Sequence, residues 1–319
     1  MIIPNHENQK DIMVFAESMN KKTKRLTRSN SKGIIKTAIH ISPAYRDFVN
    51  KLLSNSALKV SPNVGGHCQI IEHGTPGKMT KRCKVQICVN FAELDTFLHE
   101  LGHATDFLFG DNCSLTGSVI IKDGKTLDEI FNEEFDKKSD FIYRTVMEEY
   151  AKSIDENIRK GAFDTFMTYL PKFYELQGTR DPKKRRKLHK ELYDSGFVKI
   201  YYQIITKKCF QVIEQKYSPI TDALSAKYDV SGLFFRCHSL IYYGRRPSLL
   251  VQEFFANVFA DKLAANHTRF DTLIKLLPES FNAFERLFVI LYDHIQNNKR
   301  FTDIPLKAIY KAEEEETDA

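Results

Sequence analysis

From Thr126 onward, apolar residues recur three and four positions apart, the spacing of helices with one buried face. The pattern predicts helices at 127–135, 141–159, 162–175, 181–193, 197–216, 249–264, 270–276 and 278–297, separated by Gly or Pro breaks. The first third of the chain reads differently. Residues 1–33 are polar, contain the basic run Lys21-Lys-Thr-Lys-Arg25, and are expected to form a solvated arm. The β-branched run Ile34-Ile-Lys-Thr-Ala-Ile-His-Ile41 reads as a strand, and Ser42-Pro43 supplies an N-cap and a first-turn proline for a helix to about Ser54. Ala57–Val60, His67–Glu72 and Lys84–Val89 are further strand candidates, with Gly74-Thr-Pro-Gly77 as a turn. Asn90 and Glu93 have the spacing of a capping box that opens a helix, and Gly110 closes it. No internal repeat is visible. The order strand, helix, strands, helix, then helices only, predicts an α+β fold.

Composition narrows the class. A chain of 319 residues, 42% apolar and 28% charged, suits one large domain or a catalytic core with an insertion. No apolar run approaches the roughly 20 residues of a membrane span, and residues 1–8 lack the basic-then-apolar order of a classical secretory signal. The six cysteines form no C-x-x-C pair and are expected to be reduced thiols in a cytosolic setting. The net charge of +6 is uneven. Asp181-Pro-Lys-Lys-Arg-Arg-Lys-Leu-His-Lys190 is strongly basic, either a solvated helix face or a docking patch for an acidic partner. Lys311-Ala-Glu-Glu-Glu-Glu-Thr-Asp-Ala319 is an acidic tail unsuited to packing. Basic runs occur, but no nucleic-acid-binding module accompanies them.

The chemistry concentrates in Thr96-Phe-Leu-His-Glu-Leu-Gly-His-Ala-Thr-Asp106. On a helix His99 and His103, four apart, can aim at one metal ion, and Glu100 is placed to act as base toward a water there. Gly102 and Ala104 are small enough for a neighbouring backbone to approach the ligand face. Asp106 reads either as an acid that orients a ligand or as an exposed acid near the helix end. A catalytic zinc site needs a third protein ligand and one open position. Glu253, in Gln252-Glu-Phe-Phe-Ala-Asn-Val-Phe-Ala-Asp261, is favoured because a carboxylate beside an apolar face with small Ala256 and Ala260 needs a reason to be there. Glu129, Glu133, Glu134, Glu148 and Glu149 compete with it. Tyr243, ahead of Tyr242, is the candidate to donate a hydrogen bond to an oxyanion. His67, His73 and His238 are further histidines that can enter the site, although each reads more readily as structural or surface.

His99-Glu-Leu-Gly-His-Ala-Thr-Asp106, Leu127-Asp-Glu-Ile-Phe-Asn-Glu-Glu134, Tyr243-Gly-Arg245, Glu253-Phe-Phe-Ala256 and Leu277-Pro-Glu-Ser-Phe281 follow one another in the order seen in anthrax-lethal-factor-like zinc peptidases. The chain resembles that family over residues 67–297. The resemblance implies a zincin core, with a small mixed sheet and an active-site helix whose last strand borders the cleft. It further implies zinc on His99, His103 and Glu253, Glu100 as base, Tyr243 assisting, and a protein substrate. Two features depart from the family: ten residues separate Tyr243 from Glu253, and residues 136–240 form a helical insertion. The expected organisation is a basic arm at 1–33, a zincin N-terminal subdomain at 34–135, the insertion at 136–240, a C-terminal subdomain at 241–300 and the tail at 301–319. The acidic tail and the absence of a leader also resemble type IV secretion effectors, among them actin-cleaving metalloproteases. That likeness implies action on a host cytosolic protein such as actin, with the bacterial cytoplasm as the alternative location. The competing functional reading is a non-catalytic zincin-fold module that grips an acidic protein partner.

Overall fold

The structure is a computed structural model that describes residues 6–22, 28–62, 66–72, 84–89, 94–110, 113–228 and 249–297. The chain divides into two compact units, Met1–Lys137 with Tyr243–Ala319, and Lys138–Tyr242. Among the described residues no helix is long and apolar enough to cross a membrane.

The first unit begins with helices where an arm and a strand are expected. Helix α1 (His6–Lys22) buries Ile12, Phe15 and Met19, a helical spacing hidden among polar neighbours. Helix α2 (Arg28–His40) replaces the expected strand at 34–41. Its β-branched composition points to a strand, but its periodicity decides otherwise: Ile34, Thr37, Ala38 and Ile41 are buried while Ile35 and Ile39 face out. A short 3-10 turn at Pro43–Tyr45 leads into α3 (Arg46–Ser54), as Ser42-Pro43 predicts. Ser42 makes no side-chain cap; its amide donates to the Leu263 carbonyl at 2.8 Å and ties this corner to the C-terminal helices.

Strands β1 (Leu58–Pro62), β2 (His67–Glu72) and β3 (Lys84–Val89) form a mixed sheet of order β1-β3-β2, with β1 parallel and β2 antiparallel to β3. The last strand in sequence is therefore central, and β2 is the edge strand next to the motif helix α4 (Leu94–Phe109), which packs on both. Helix α4 stops before Gly110, where an added Cβ would come within 1.9 Å of the Leu115 nitrogen. The turn at 74–77 and the capping pair Asn90 and Glu93 lie outside the described residues. A hairpin that the pattern reading misses follows, β4 (Ile120–Lys122) and β5 (Lys125–Thr126). Its signal is Asp123-Gly124, both at positive φ, 51° and 74°. Cys113 is disulfide-bonded while Cys68, Cys88 and Cys209 are free thiols, so the expectation of reduced cysteines fails at Cys113. Spacing alone does not reveal pairing between distant cysteines.

Helix α5 (Leu127–Asn157) is continuous where two helices are expected, because Asp136-Lys-Lys-Ser-Asp140 contains no Gly or Pro to interrupt it. In the second unit follow α6 (Ala162–Gly178), α7 (Pro182–Asp194), α8 (Phe197–Thr206) and α9 (Gln211–Tyr228). Helices α6, α7 and α8 pack pairwise around Leu170, Leu188, Leu192 and the stacked pair Phe166–Phe197, 5.7 Å between centroids. Helices α8 and α9 replace one expected helix at 197–216; Lys208, at φ 55°, makes the break.

The first unit resumes with α10 (Leu249–Ala264), α11 (His267–Leu276) and α12 (Pro278–Asn297). Phe48 of α3, Phe255 and Phe259 of α10, and Phe284 and Phe288 of α12 form an aromatic core, with Phe48 and Phe288 5.5 Å apart. Glu134 on α5 caps α12 by accepting from the Ser280 amide and hydroxyl, both at 2.7 Å, and from the Glu279 amide at 3.2 Å.

Helix α4 crosses α10 at close range. A Cβ built on Gly102 would stand 2.7 Å from the Ala256 Cα and 3.1 Å from its carbonyl oxygen, so the two backbones touch. Gly102→Ala improves helix propensity by about 1 kcal/mol but forces this crossing apart. A net loss of about 1–3 kcal/mol in unfolding free energy is expected, read as a lower urea midpoint with unchanged slope.

Candidate metal centre

Three polar atoms converge where α4 crosses α10. His99 Nε2 and His103 Nε2 lie 3.1 Å apart, and Glu253 Oε2 is 3.2 Å from the first and 3.3 Å from the second. The group is buried from the α10 side, Glu253 being 1% exposed. Helical spacing explains the histidine pair: residues four apart stack along α4, and the rings meet edge to face at 4.6 Å. The Gly102–Ala256 contact explains the carboxylate, because only a close crossing lets Glu253 reach over α4 to both rings.

The spacing fits one small cation. Donors about 2.0–2.1 Å from a common tetrahedral centre stand about 3.3 Å apart, which the three observed separations match. Tautomer chemistry agrees. His99 Nδ1 is 3.0 Å from the Asn257 side-chain oxygen, which can only accept, so Nδ1 carries the proton and Nε2 presents a lone pair. That lone pair faces a carboxylate oxygen at 3.2 Å. Either a proton or a metal cation between them makes that contact favourable. Two imidazoles and a carboxylate can hold a divalent metal, and nitrogen with carboxylate oxygen is a donor set that zinc accepts.

Glu100 lies beside the group and is 6% exposed. Burial pushes its carboxyl up, His99 and His103 pull it down, and Glu253 pushes it up again. Glycine at position 66 is what lets the start of β2 lie against it: an added Cβ would come within 2.9 Å of Glu100 Oε1 and 2.2 Å of Thr96 Cγ2. His67, the next residue, is exposed and close enough to bias the Glu100 carboxyl downward.

The competing third ligands are elsewhere. Glu134 caps α12, Glu133 pairs with Lys125 at 2.7 Å, and Glu129 accepts from the Thr126 amide at 2.9 Å. Glu149 is bound by Lys216 and Tyr217, and Glu148 is exposed. Tyr242, Tyr243, His73 and His238 lie outside the described residues. Asp106 is fully buried, so it is no exposed helix-end acid. Its Oδ1 accepts from the Thr116 amide at 2.8 Å, holding the turn after α4, and it acts on His103 through space. The ligand-orienting group that the sequence reading misses is Asn257. Its signal was present: a polar residue four after Glu253, so one turn along the same helix face.

Comparison of the chain with protein-family models, with curated proteins and with solved structures finds no match.

Two outcomes follow from this geometry. Asn257→Leu removes the acceptor that sets the His99 tautomer, so zinc affinity should fall about 10–100-fold, measured by competition with a chromogenic chelator. Asp106 is pushed up to about 6, first by burial, with the Thr116 bonds opposing. Its folded-state value lies above the unfolded value of about 3.9, so the metal-free protein loses stability as pH rises from about 4 through about 6. Asp106→Asn keeps an acceptor for the Thr116 amide and removes this dependence. Between about pH 4 and 7 the stability of the variant should rise relative to wild type by on the order of 3 kcal/mol, read by denaturant unfolding at each pH.

Proposed function

We propose that the chain is a zinc-dependent endopeptidase in which His99, His103 and Glu253 hold the metal and Glu100 is the general base. The observation that carries this reading is the 3.1–3.3 Å triangle of donor atoms with a buried carboxylate one residue along the same helix. When bound, zinc would polarise a carbonyl and acidify water. Everything else falls to the chain. Glu100 takes the proton of the attacking water and returns it to the leaving amine, and burial, by raising its pKa, suits it to both tasks. Asn257 fixes which nitrogen of His99 faces the metal.

The edge strand supports a peptide as substrate. Among the described strands β2 pairs only with β3, so its outer edge can add an extended segment by main-chain hydrogen bonds. Gly66 brings the start of that strand against Glu100, next to the base. The resemblance puts the last strand beside the cleft; with β3 central in the sheet, we assign the substrate edge to β2. A translocated effector acting on a host protein such as actin is the setting we propose for this activity, on the resemblance to type IV secretion effectors alone.

The test pairs two variants. Glu100→Gln should bind one zinc per chain yet cleave nothing when new N-termini are catalogued in eukaryotic lysate, and Glu253→Ala should lose the metal and the cleavage together. Full activity in Glu100→Gln, or cleavage that survives chelation, overturns this mechanism, and a wild type that produces no new N-termini leaves the binding module.

A further inference from the structure

The net charge of the chain is carried by one of its units. Residues 138–242 hold 19 Lys and Arg against 13 Asp and Glu; that surplus equals the +6 of the whole chain, so the remainder is neutral. Part of that surplus lies along one helix. On α7, Lys184 is held by Glu175 at 2.7 Å, Lys187 faces Glu191 at 4.0 Å, and Arg185 donates to the Leu176 and Thr179 carbonyls. Lys183, Arg186 and Lys190 are exposed and carry no ion pair among the described residues. Steps of three and four put them on one face, which ends in Tyr193, 76% exposed, and Asp194.

Helix α8 starts three residues further on and is apolar on two sides. Phe197, Ile200 and Ile204 are buried where α6 and α7 pack. Val198, Tyr202 and Ile205, spaced four and three apart, are 48%, 67% and 39% exposed on another face. A helix that only needs to close its own bundle has no use for a second apolar stripe.

We propose that this α7–α8 surface docks an acidic protein segment. Its exposed apolar side chains, Tyr193, Val198, Tyr202 and Ile205, supply the anchors, and Lys183, Arg186 and Lys190 pair with the partner's carboxylates. Exposed tyrosines flanked by cations match the anatomy of a protein interface, where aromatic anchors carry affinity and rim charges steer encounter. A nucleic acid backbone would use the cations and leave the aliphatic stripe uncovered. A bilayer would require a deeper apolar face than these few side chains provide. The inference is independent of catalysis in the first unit.

The test uses the full chain as Glu100→Gln and two labelled synthetic peptides of equal length. Both carry Leu and Phe at the same positions; the remaining positions are Glu in one and Lys in the other. Phosphatidylserine vesicles and oligothymidylate serve as the other probes. The Glu peptide should bind in preference to all three. The triple variant Lys183→Glu, Arg186→Glu, Lys190→Glu should weaken it at least about tenfold, and Tyr193→Ser with Tyr202→Ser by about as much, with thermal midpoint and zinc content unchanged. Equal binding of the two peptides, indifference to either set of substitutions, or tighter binding of vesicles or oligothymidylate overturns the proposal.

Discussion

The contact on which the centre depends is backbone against backbone, at Gly102 of α4 and Ala256 of α10. Gly102 precedes His103 by one residue, and Ala256 follows Glu253 by three, so the point of closest approach is also where the ligand side chains leave their helices. A glycine inside a helix costs about 1 kcal/mol relative to alanine. The crossing it permits lets a side chain as short as glutamate span two helices and meet both imidazoles. The aromatic core behind α10 then holds the crossing in place, since Phe255 and Phe259 pack against α3 and α12 on the far side.

Electrostatics make this arrangement costly without a cation. Glu253, Glu100 and Asp106 are all nearly or fully buried within one region of the first unit. Burying an ionised carboxylate costs several kcal/mol, and Glu100 and Asp106 respond with raised pKa values. The two imidazoles offset part of that cost, but with His99 Nδ1 turned to Asn257 the Nε2 lone pair of His99 points at the carboxylate. A divalent ion at the centre would relieve both problems together. It would neutralise Glu253. The same burial therefore makes the three carboxylates costly without a cation and holds the Glu100 carboxyl above its ordinary range.

How much of this was legible in the chain depends on how local each feature is. The histidine pair and Glu100 follow from helical spacing alone, and Glu253 from a charge set against an apolar face. Gly102 and Ala256 were readable as small residues, although not as partners of each other. Asn257 was not recognised, because its role exists only once α10 crosses α4. Strand order was equally out of reach: the resemblance put the last strand beside the cleft, whereas pairing makes β3 central and leaves β2 at an edge. At residues 34–41 composition and periodicity disagreed, and tertiary burial followed the periodicity. For Tyr242 and Tyr243, placement lies outside the described residues.

The central claim is that His99, His103 and Glu253 bind one metal ion as a set. X-ray absorption at the zinc edge of the loaded protein tests it most directly. The account predicts one ion per chain, with two imidazole nitrogens and carboxylate oxygen at about 2.0–2.1 Å and no sulfur in the first shell. A sulfur shell at about 2.3 Å, which would bring in a cysteine such as Cys68 or Cys88, or a spectrum unchanged by Glu253→Ala, would contradict it.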